Sequence, residues 1–329
     1  MFLERIYEKR KHTDLNENRA GILMAMGPVL GFLIFGFVPI ILGIVMSFFD
    51  FGDKTFFSSE TKFVGFTNYI NCFIVKGTGA DPLKGMYFLE TLLTTVVMYL
   101  SVPACIVLSL IVAYFLSKKI KAKAFFRTVF LLPFVCSSIA ITFIWGRVFD
   151  TNLGILNQLL IYKLGLSSDT FQAYDWVGNY FYEVLFLINV WGGCGFNIIL
   201  YTAALTNVNS SYYEAAQVDG ANPFQIFFKI TIPAISPTTF YLLITATIGA
   251  LQTFPVPQMV GTFTTALSGD VLGVLIHQRQ LTVVGYMNML LHGTVRTGVA
   301  SAVAVMLSVI IGIVTIINFI GQKYWVNYD

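Results

Sequence analysis

Six long stretches of the chain are nearly continuous in apolar side chains, and the charged residues collect between them. They are Ile22–Phe49, Phe88–Leu116, Phe125–Phe149, Tyr180–Leu205, Ala234–Val256 and Gly298–Ile320. A helix needs about 20 mostly apolar residues to cross a bilayer, and each stretch meets that length. Each is therefore expected to be a membrane-spanning helix, numbered one to six. Two further pieces, Val271–Ile276 and Leu281–Leu291, are apolar but too short. His277, Gln278, Arg279 and Gln280 separate them, so that region is expected outside the bilayer or partly re-entrant.

Charge at the N-terminus runs to Arg19, and the first apolar run follows it. A signal-peptide core is only about 7–15 residues long and ends in a small-residue cleavage site. The run here is longer and no such site follows, so it reads as an uncleaved first span. Composition excludes most alternatives. Of the 329 residues 56% are hydrophobic and only 11% charged, with mean hydropathy +0.75. Soluble domains hold about 25% charged residues, so a soluble enzyme and a disordered chain are both ruled out. The expected class is an all-α polytopic membrane protein of about six transmembrane helices. A net charge of +3 with no basic stripe gives no reason to expect nucleic acid.

Lys and Arg set the expected orientation, because cytoplasmic loops carry an excess of them. Twelve lie on one side: the N-terminus, the turn Lys118–Arg127, Lys229 and Lys323. The other side has eight, spread over longer loops. Both termini are thus expected in the cytoplasm. Of the four cysteines, Cys105, Cys136 and Cys194 lie in apolar runs, where cysteine acts as a small hydrophobe, and Cys72 lies between spans. No Cys/His spacing suggests zinc or a disulfide framework, and His277 and His292 are isolated. No metal site is expected.

One cytoplasmic segment, 206–233, is longer than a helical hairpin needs. It reads as two short helices around a turn. Ser210 or Ser211 is expected to cap the first, with Glu214 in its first turn facing the positive end of the dipole. Gly220 permits the positive φ that ends a helix. Asn222 and Pro223 suit the cap and first residue of the next helix. Phe224, Phe227 and Phe228 then share one face, and Pro233 stops the helix before span five. Such a segment could lie on lipid headgroups. Those helices are usually rich in Lys and Arg, whereas this one carries Glu214, Asp219 and only Lys229, which fits a protein partner better.

Glu214-Ala215-Ala216, then Asp219-Gly220-Ala221, with Phe228 and Pro233 downstream, resembles the EAA loop of permease subunits in binding-protein-dependent ABC importers. Phe63 to Tyr69, Phe126-Arg127-Thr128 leading to Leu132-Pro133, Gly154 to Asn157 and Asn189-Val190-Trp191 are similar to the sugar branch, the maltose- and glycerol-3-phosphate-type permeases. The match falters over Gln258–Gly269 and His292–Thr297. The resemblance implies the type I importer permease fold (MetI-like). It divides the chain into a cytoplasmic segment 1–21, a permease domain 22–320 and a cytoplasmic tail 321–329. It also implies a bacterial inner-membrane location, a second permease subunit forming a heterodimer, two ATPase subunits, an extracellular solute-binding protein and a sugar substrate. ATP and Mg would be used by the partner ATPase alone, because this chain has no G-x-x-x-x-G-K-[ST] motif and no cofactor of its own is expected. Glu214, Ala215, Ala216, Asp219, Gly220, Ala221, Phe228 and Pro233 would form the docking loop, with Glu214 paired to an arginine of the ATPase.

Polar residues inside spans usually face a cavity or a partner helix. Asn189, Gly193 and Phe196 share one face of span four, and Thr245, Ile248, Gly249 and Gln252 one face of span five. With Phe134 of span three, these residues correspond, through the resemblance, to sugar-contacting positions of maltose-type permeases. Ile248 and Gly249 stand where aromatic and amide groups would be expected. Helix packing explains the same small and amide residues, so both readings remain open. Gly27 to Gly31 is a small-residue motif expected to pack span one, and Glu90 is expected to face water. A secondary transporter with its own ion site would need broken helices and repeats, and neither a repeat nor a mid-span acid is evident. A membrane-embedded enzyme would need a convergent catalytic set, and none is evident.

Overall fold

The computed structural model describes residues 19–51, 61–73, 86–118, 121, 123–151, 153–160, 164, 174–254, 256–257, 281–292 and 296–327. The calls on His277 and Gln258–Gly269 lie outside them. Four helices are long and apolar enough to cross a membrane: α1 (Arg19–Met46), α3 (Met86–Ser117), α6 (Phe181–Asn207) and α11 (Thr297–Gln322). Between α1 and α3 lies the short α2 (Thr67–Phe73). Two bent pairs raise the count of crossings to six: α4 (Lys123–Val135) with α5 (Ser138–Val148), and α8 (Pro223–Ala234) with α9 (Ser236–Leu251). The coupling segment opens with α7 (Ser210–Val218), and α10 (Val283–His292) precedes α11.

The bent pairs correct the expectation of straight third and fifth spans. α4 and α5 meet at 101°, because Ser137 leaves helical geometry with ψ 138°. Ser137-Ser138 and Pro133 mark that point, but the flanking residues are apolar enough for the whole stretch to read as one span. α8 and α9 meet at 63° beside Ile235. Span five is thus the 16-residue α9, shorter than Ala234–Val256, and α8 feeds directly into it.

Two prolines widen their helices in the same way. Pro39 and Pro233 bring no amide to the ladder. Just before each, the helix opens into a π-turn, Leu33–Phe37 and Phe227–Thr231. There Val38 N–H bonds back to Leu33 O, and Ile232 N–H to Phe227 O.

α3 is the central post, packed against α6, α9 and α10. Its buried face is small and hydroxylic, with Thr91, Thr94, Thr95, Ser101 and Ser109 all buried. Small side chains let neighbouring helices approach where lipid supplies no hydrophobic drive. Thr91 and Thr95 return their hydroxyl protons to Phe88 O and Thr91 O, both at 2.8 Å. Thr95 also accepts from Val283 N–H at 3.0 Å, fixing the start of α10 against α3. α10 buries Val283, Tyr286 and Leu290 among Phe88, Val303 and Leu307, so the segment left outside or partly re-entrant is a helix of the core. A second cluster joins Val102, Ile106, Cys194, Ile198, Tyr201 and Leu242 of α3, α6 and α9.

Outside the helices, Phe49–Asp50 pairs antiparallel with Lys62–Phe63. Buried Asn68 locks the turn by donating to Ser47 O and Phe49 O, at 2.8 and 2.9 Å. Asn157 ties another connection, donating to Tyr174 O at 3.0 Å and accepting from Trp176 Nε1 at 2.6 Å. At the other end of the chain, Asn327 N–H donates to Ser236 Oγ at 2.9 Å, and Trp325 packs on Phe240, so the tail fastens the α8–α9 bend. The most apolar window of α1 is entirely unburied, whereas its last part, Val38–Met46, packs against α11. A Cβ placed on Gly27 or Gly31 would meet nothing within 4 Å, so that motif packs against no part of the described chain. Glu90 is half-buried rather than water-facing.

Candidate substrate cavity and coupling loop

Where α4 breaks, it turns its last residues towards α6. A Cβ on Gly195 would lie 2.8 Å from Phe130 O and 3.0 Å from Phe134 Cβ, so only glycine permits this approach. The contact brings the rings of Phe134 and Phe196 into a stack, with centroids 5.2 Å apart and planes at 28°. Around the stack open two adjoining cavities of about 300 and 340 Å³. Phe134, Asn189, Gly192, Gly193 and Thr253 line both.

Seven of the eight pathway candidates meet here. Phe196, Thr245 and Gly249 line the first cavity and Gln252 the second. Ile248 shares the Thr245–Gly249–Gln252 face by spacing but lines neither cavity. Asn189 satisfies both readings left open by its position. It reaches the cavity and also donates through Nδ2 to Ser101 Oγ of α3. Thr245 keeps its proton within α9, on Tyr241 O at 2.9 Å, and presents its oxygen outward.

At the far end of α6 the chain enters the coupling segment. Asn209, rather than Ser210 or Ser211, caps α7, accepting from Ser211 N–H at 3.0 Å. α7 therefore starts at Ser210, and Glu214 falls in the second turn, not the first. It remains exposed. Gly220 takes φ +74°. Ala221 N–H donates to Ala216 O at 2.9 Å and Gly220 N–H to Gln217 O at 3.1 Å, the paired bonds of a Schellman ending. Asn222 then opens α8 with a capping box. Its Oδ1 accepts from Gln225 N–H at 2.8 Å, and Gln225 Oε1 accepts from Asn222 N–H at 2.9 Å.

The phenylalanines of α8 do not all point the same way. Phe227 packs edge-on against Tyr114 of α3 at 4.8 Å. Phe224 and Phe228 project outward, 78% and 60% exposed. Tyr213 Oη lies 3.4 Å from Thr231 Oγ1, joining α7 to α8. Asp219 and Ala215 are exposed, Ala216 is buried, Ala221 and Pro233 are partly buried. The segment is a fixed helix–turn–helix with one side held on α3 and the other presented outward.

Residues 88–324 match the family described as binding-protein-dependent transport system inner membrane component. The chain belongs to this family. The probable ABC transporter permease protein YesP of Bacillus subtilis is 30% identical to it over 324 residues, spanning 98% of this chain and 96% of its own length. The arabinooligosaccharides transport system permease protein AraP of Halalkalibacterium halodurans is 30% identical over 310 residues, 93% of this chain and 89% of its own. In fold, it is similar to a chain from the crystal structure of a bacterial ABC transporter involved in the import of the acidic polysaccharide alginate. The TM-score is 0.71 at 21% identity, covering 96% and 99% of the two chains.

Sequence reasoning missed what α3 brings to this permease's cavity. Ser101, Val102 and Cys105 form one wall, and Asn197 of α6 another part. Asn197 Nδ2 donates to Cys105 Sγ at 3.3 Å. The available signal was the spacing of Ser101 and Cys105, one helical turn apart on span two. Serine and cysteine weigh as neutral filler in a hydropathy profile, so the face stayed hidden.

Proposed function

We propose that this permease forms one half of a heterodimeric pathway for a sugar or oligosaccharide, handed over by an extracellular solute-binding protein and driven by two ATPase subunits. The observation that carries the reading is the stacked Phe134–Phe196 pair set between amides and hydroxyls. Flat aromatic faces suit the apolar faces of a sugar ring, and Asn189, Asn197, Thr245 and Gln252 suit its hydroxyls. The cavity volumes fall at the low end of the about 300–1,000 Å³ usual for ligand sites. The names of relatives that carry arabinooligosaccharides and diacetylchitobiose support the substrate class.

Energy enters from outside the chain, which has no phosphate-binding loop. The outward side of the coupling loop, with Glu214, Phe224 and Phe228, docks in a cleft of the ATPase. Movement of that partner passes through α8 across the Ile235 bend into α9, and through Phe227 and Tyr114 into α3. Both termini and the loop lie in the cytoplasm, as the Lys and Arg distribution supports. The test is uptake of radiolabelled oligosaccharides by cells with and without the chain. Loss of uptake for the ligand of the cognate binding protein is expected. Unchanged uptake of every sugar tested, with that binding protein present, overturns the proposal.

A further inference from the structure

The wall of the smaller cavity holds a feature that the proposed pathway does not account for. Cys105 of α3 and Cys194 of α6 bring their sulfurs to 3.7 Å, across the tightest helix pair of the fold. Both thiols are buried, at 5% and 8% exposure. Cys105 lines the cavity of about 300 Å³, so a small reagent inside that space meets its sulfur directly. Cys72 lies on α2 and Cys136 at the α4–α5 break, and among the described residues neither has a second cysteine within reach.

The spacing decides what chemistry suits the pair. A disulfide needs about 2.05 Å between sulfurs, so closing one here would bring the two sulfurs together by more than an ångström. A Cβ on Gly193 would lie 3.0 Å from Cys105 Sγ, so the glycine leaves the room that the sulfur occupies. A single thiophilic atom bound to both sulfurs needs no such closure. Polar contacts surround the pair: Asn197 Nδ2 donates to Cys105 Sγ at 3.3 Å, Cys194 Sγ donates to Cys105 O at 3.9 Å, and Ser109 Oγ donates to the Cys194 backbone carbonyl at 3.4 Å.

We propose that Cys105 and Cys194 form a buried dithiol site that binds trivalent organoarsenicals as a bidentate ligand, stapling α3 to α6 at the cavity wall. The reaction with phenylarsine oxide balances without any oxidant. Two As–S bonds form, the As–O bond breaks, and both thiol protons leave with the oxygen as water. Arsenic stays trivalent throughout. The second As–S bond closes within one molecule, so the pair gains over either thiol alone by about 10²–10⁴-fold in effective affinity.

The experiment titrates the purified full-length chain, fully reduced, with phenylarsine oxide. The chain is then unfolded in denaturant, and its free thiols are mapped by maleimide labelling and peptide mass spectrometry. Cys105 and Cys194 should be lost together at one arsenic per chain, while Cys72 and Cys136 stay free. 2,3-Dimercaptopropanol should restore both thiols, and an equal concentration of thiol groups as mercaptoethanol should not. Cys105→Ala and Cys194→Ala should each weaken binding at least about 100-fold. Mapping on the unsubstituted chain keeps the test valid if a variant folds poorly. Arsenic held at Cys72 or Cys136, or equal affinity in a single-cysteine variant, overturns the site. Ready formation of a Cys105–Cys194 disulfide in air overturns the spacing argument.

Discussion

Ala221 donates its amide to the carbonyl of Ala216 at 2.9 Å, and the chain folds back over Gly220 to make that bond. Gly220 can do so because it sits at φ +74°, where a side chain is strained. Nothing lies within 4 Å of a Cβ built there, so the penalty is conformational rather than steric crowding. Gly220→Val should cost about 1–2 kcal/mol in the docking conformation. That corresponds to a loss of about 5–30-fold in affinity for the ATPase. A titration of ATPase onto the reconstituted permease checks it, and equal affinity would show that the turn is not used as it stands.

The start of α8 has its own dependence. Asn222→Ala removes the side-chain bond of the capping box, from Gln225 N–H to Asn222 Oδ1, and should destabilise the helix by about 0.5–2 kcal/mol. Hydrogen exchange at the Gln225 and Ile226 amides reads this locally. Faster exchange there, with α6 unchanged, is the expected pattern. Asn222→Asp should keep most of the protection.

At the cavity, two amides separate function from packing. Gln252 is exposed, and its backbone N–H donates to Ile248 O at 3.2 Å. Gln252→Leu should therefore lower uptake without changing assembly. Asn189→Leu also removes the bond to Ser101, worth about 0.6 kcal/mol between membrane helices. A small loss of stability with a large loss of uptake is expected. Uptake that stays unchanged in both variants would favour helix packing as their whole role.

Much of this arrangement is legible in the residue pattern. Gly220, Asn222 and Pro223 each admit few backbone roles, so the turn and restart follow from their chemistry. Phe134, Asn189 and Gly193 are readable because helical spacing puts polar and small residues on one face. Other features depend on tertiary structure. The 101° break at Ser137-Ser138 lies within a stretch apolar enough overall to read as one span. The split between Phe227 and its neighbours follows from the packing of Phe227 on Tyr114 of α3. Asn209 outcompetes Ser210 as a cap because α6 ends in an extended Val208, with ψ 129°, which sets where α7 can start.

Cys72 offers a prediction about pH. Its thiol is almost fully buried, and burial pushes its pKa up to about 11. Below that value the neutral thiol dominates, and only the thiolate attacks a maleimide. At pH 8 about one molecule in a thousand is ionised, so alkylation of the native chain should be very slow. The rate should rise with each step in pH towards 11. Rapid labelling of Cys72 at pH 8, mapped by mass spectrometry, would show the site open.

The account as a whole rests on the coupling loop, and charge reversal at Glu214 tests it most directly. Glu214 is exposed on α7, available to an arginine of the ATPase. Losing one partner of a buried interfacial ion pair costs about 2–5 kcal/mol. The measurement is ATP-driven sugar uptake in proteoliposomes holding the complete transporter, wild type beside Glu214→Lys, with ATPase retention and permease content assayed on the same vesicles. The account predicts normal permease content, ATPase retention reduced at least tenfold (about 1.4 kcal/mol) and uptake lost. Full ATPase retention with normal uptake in the Glu214→Lys complex would contradict it.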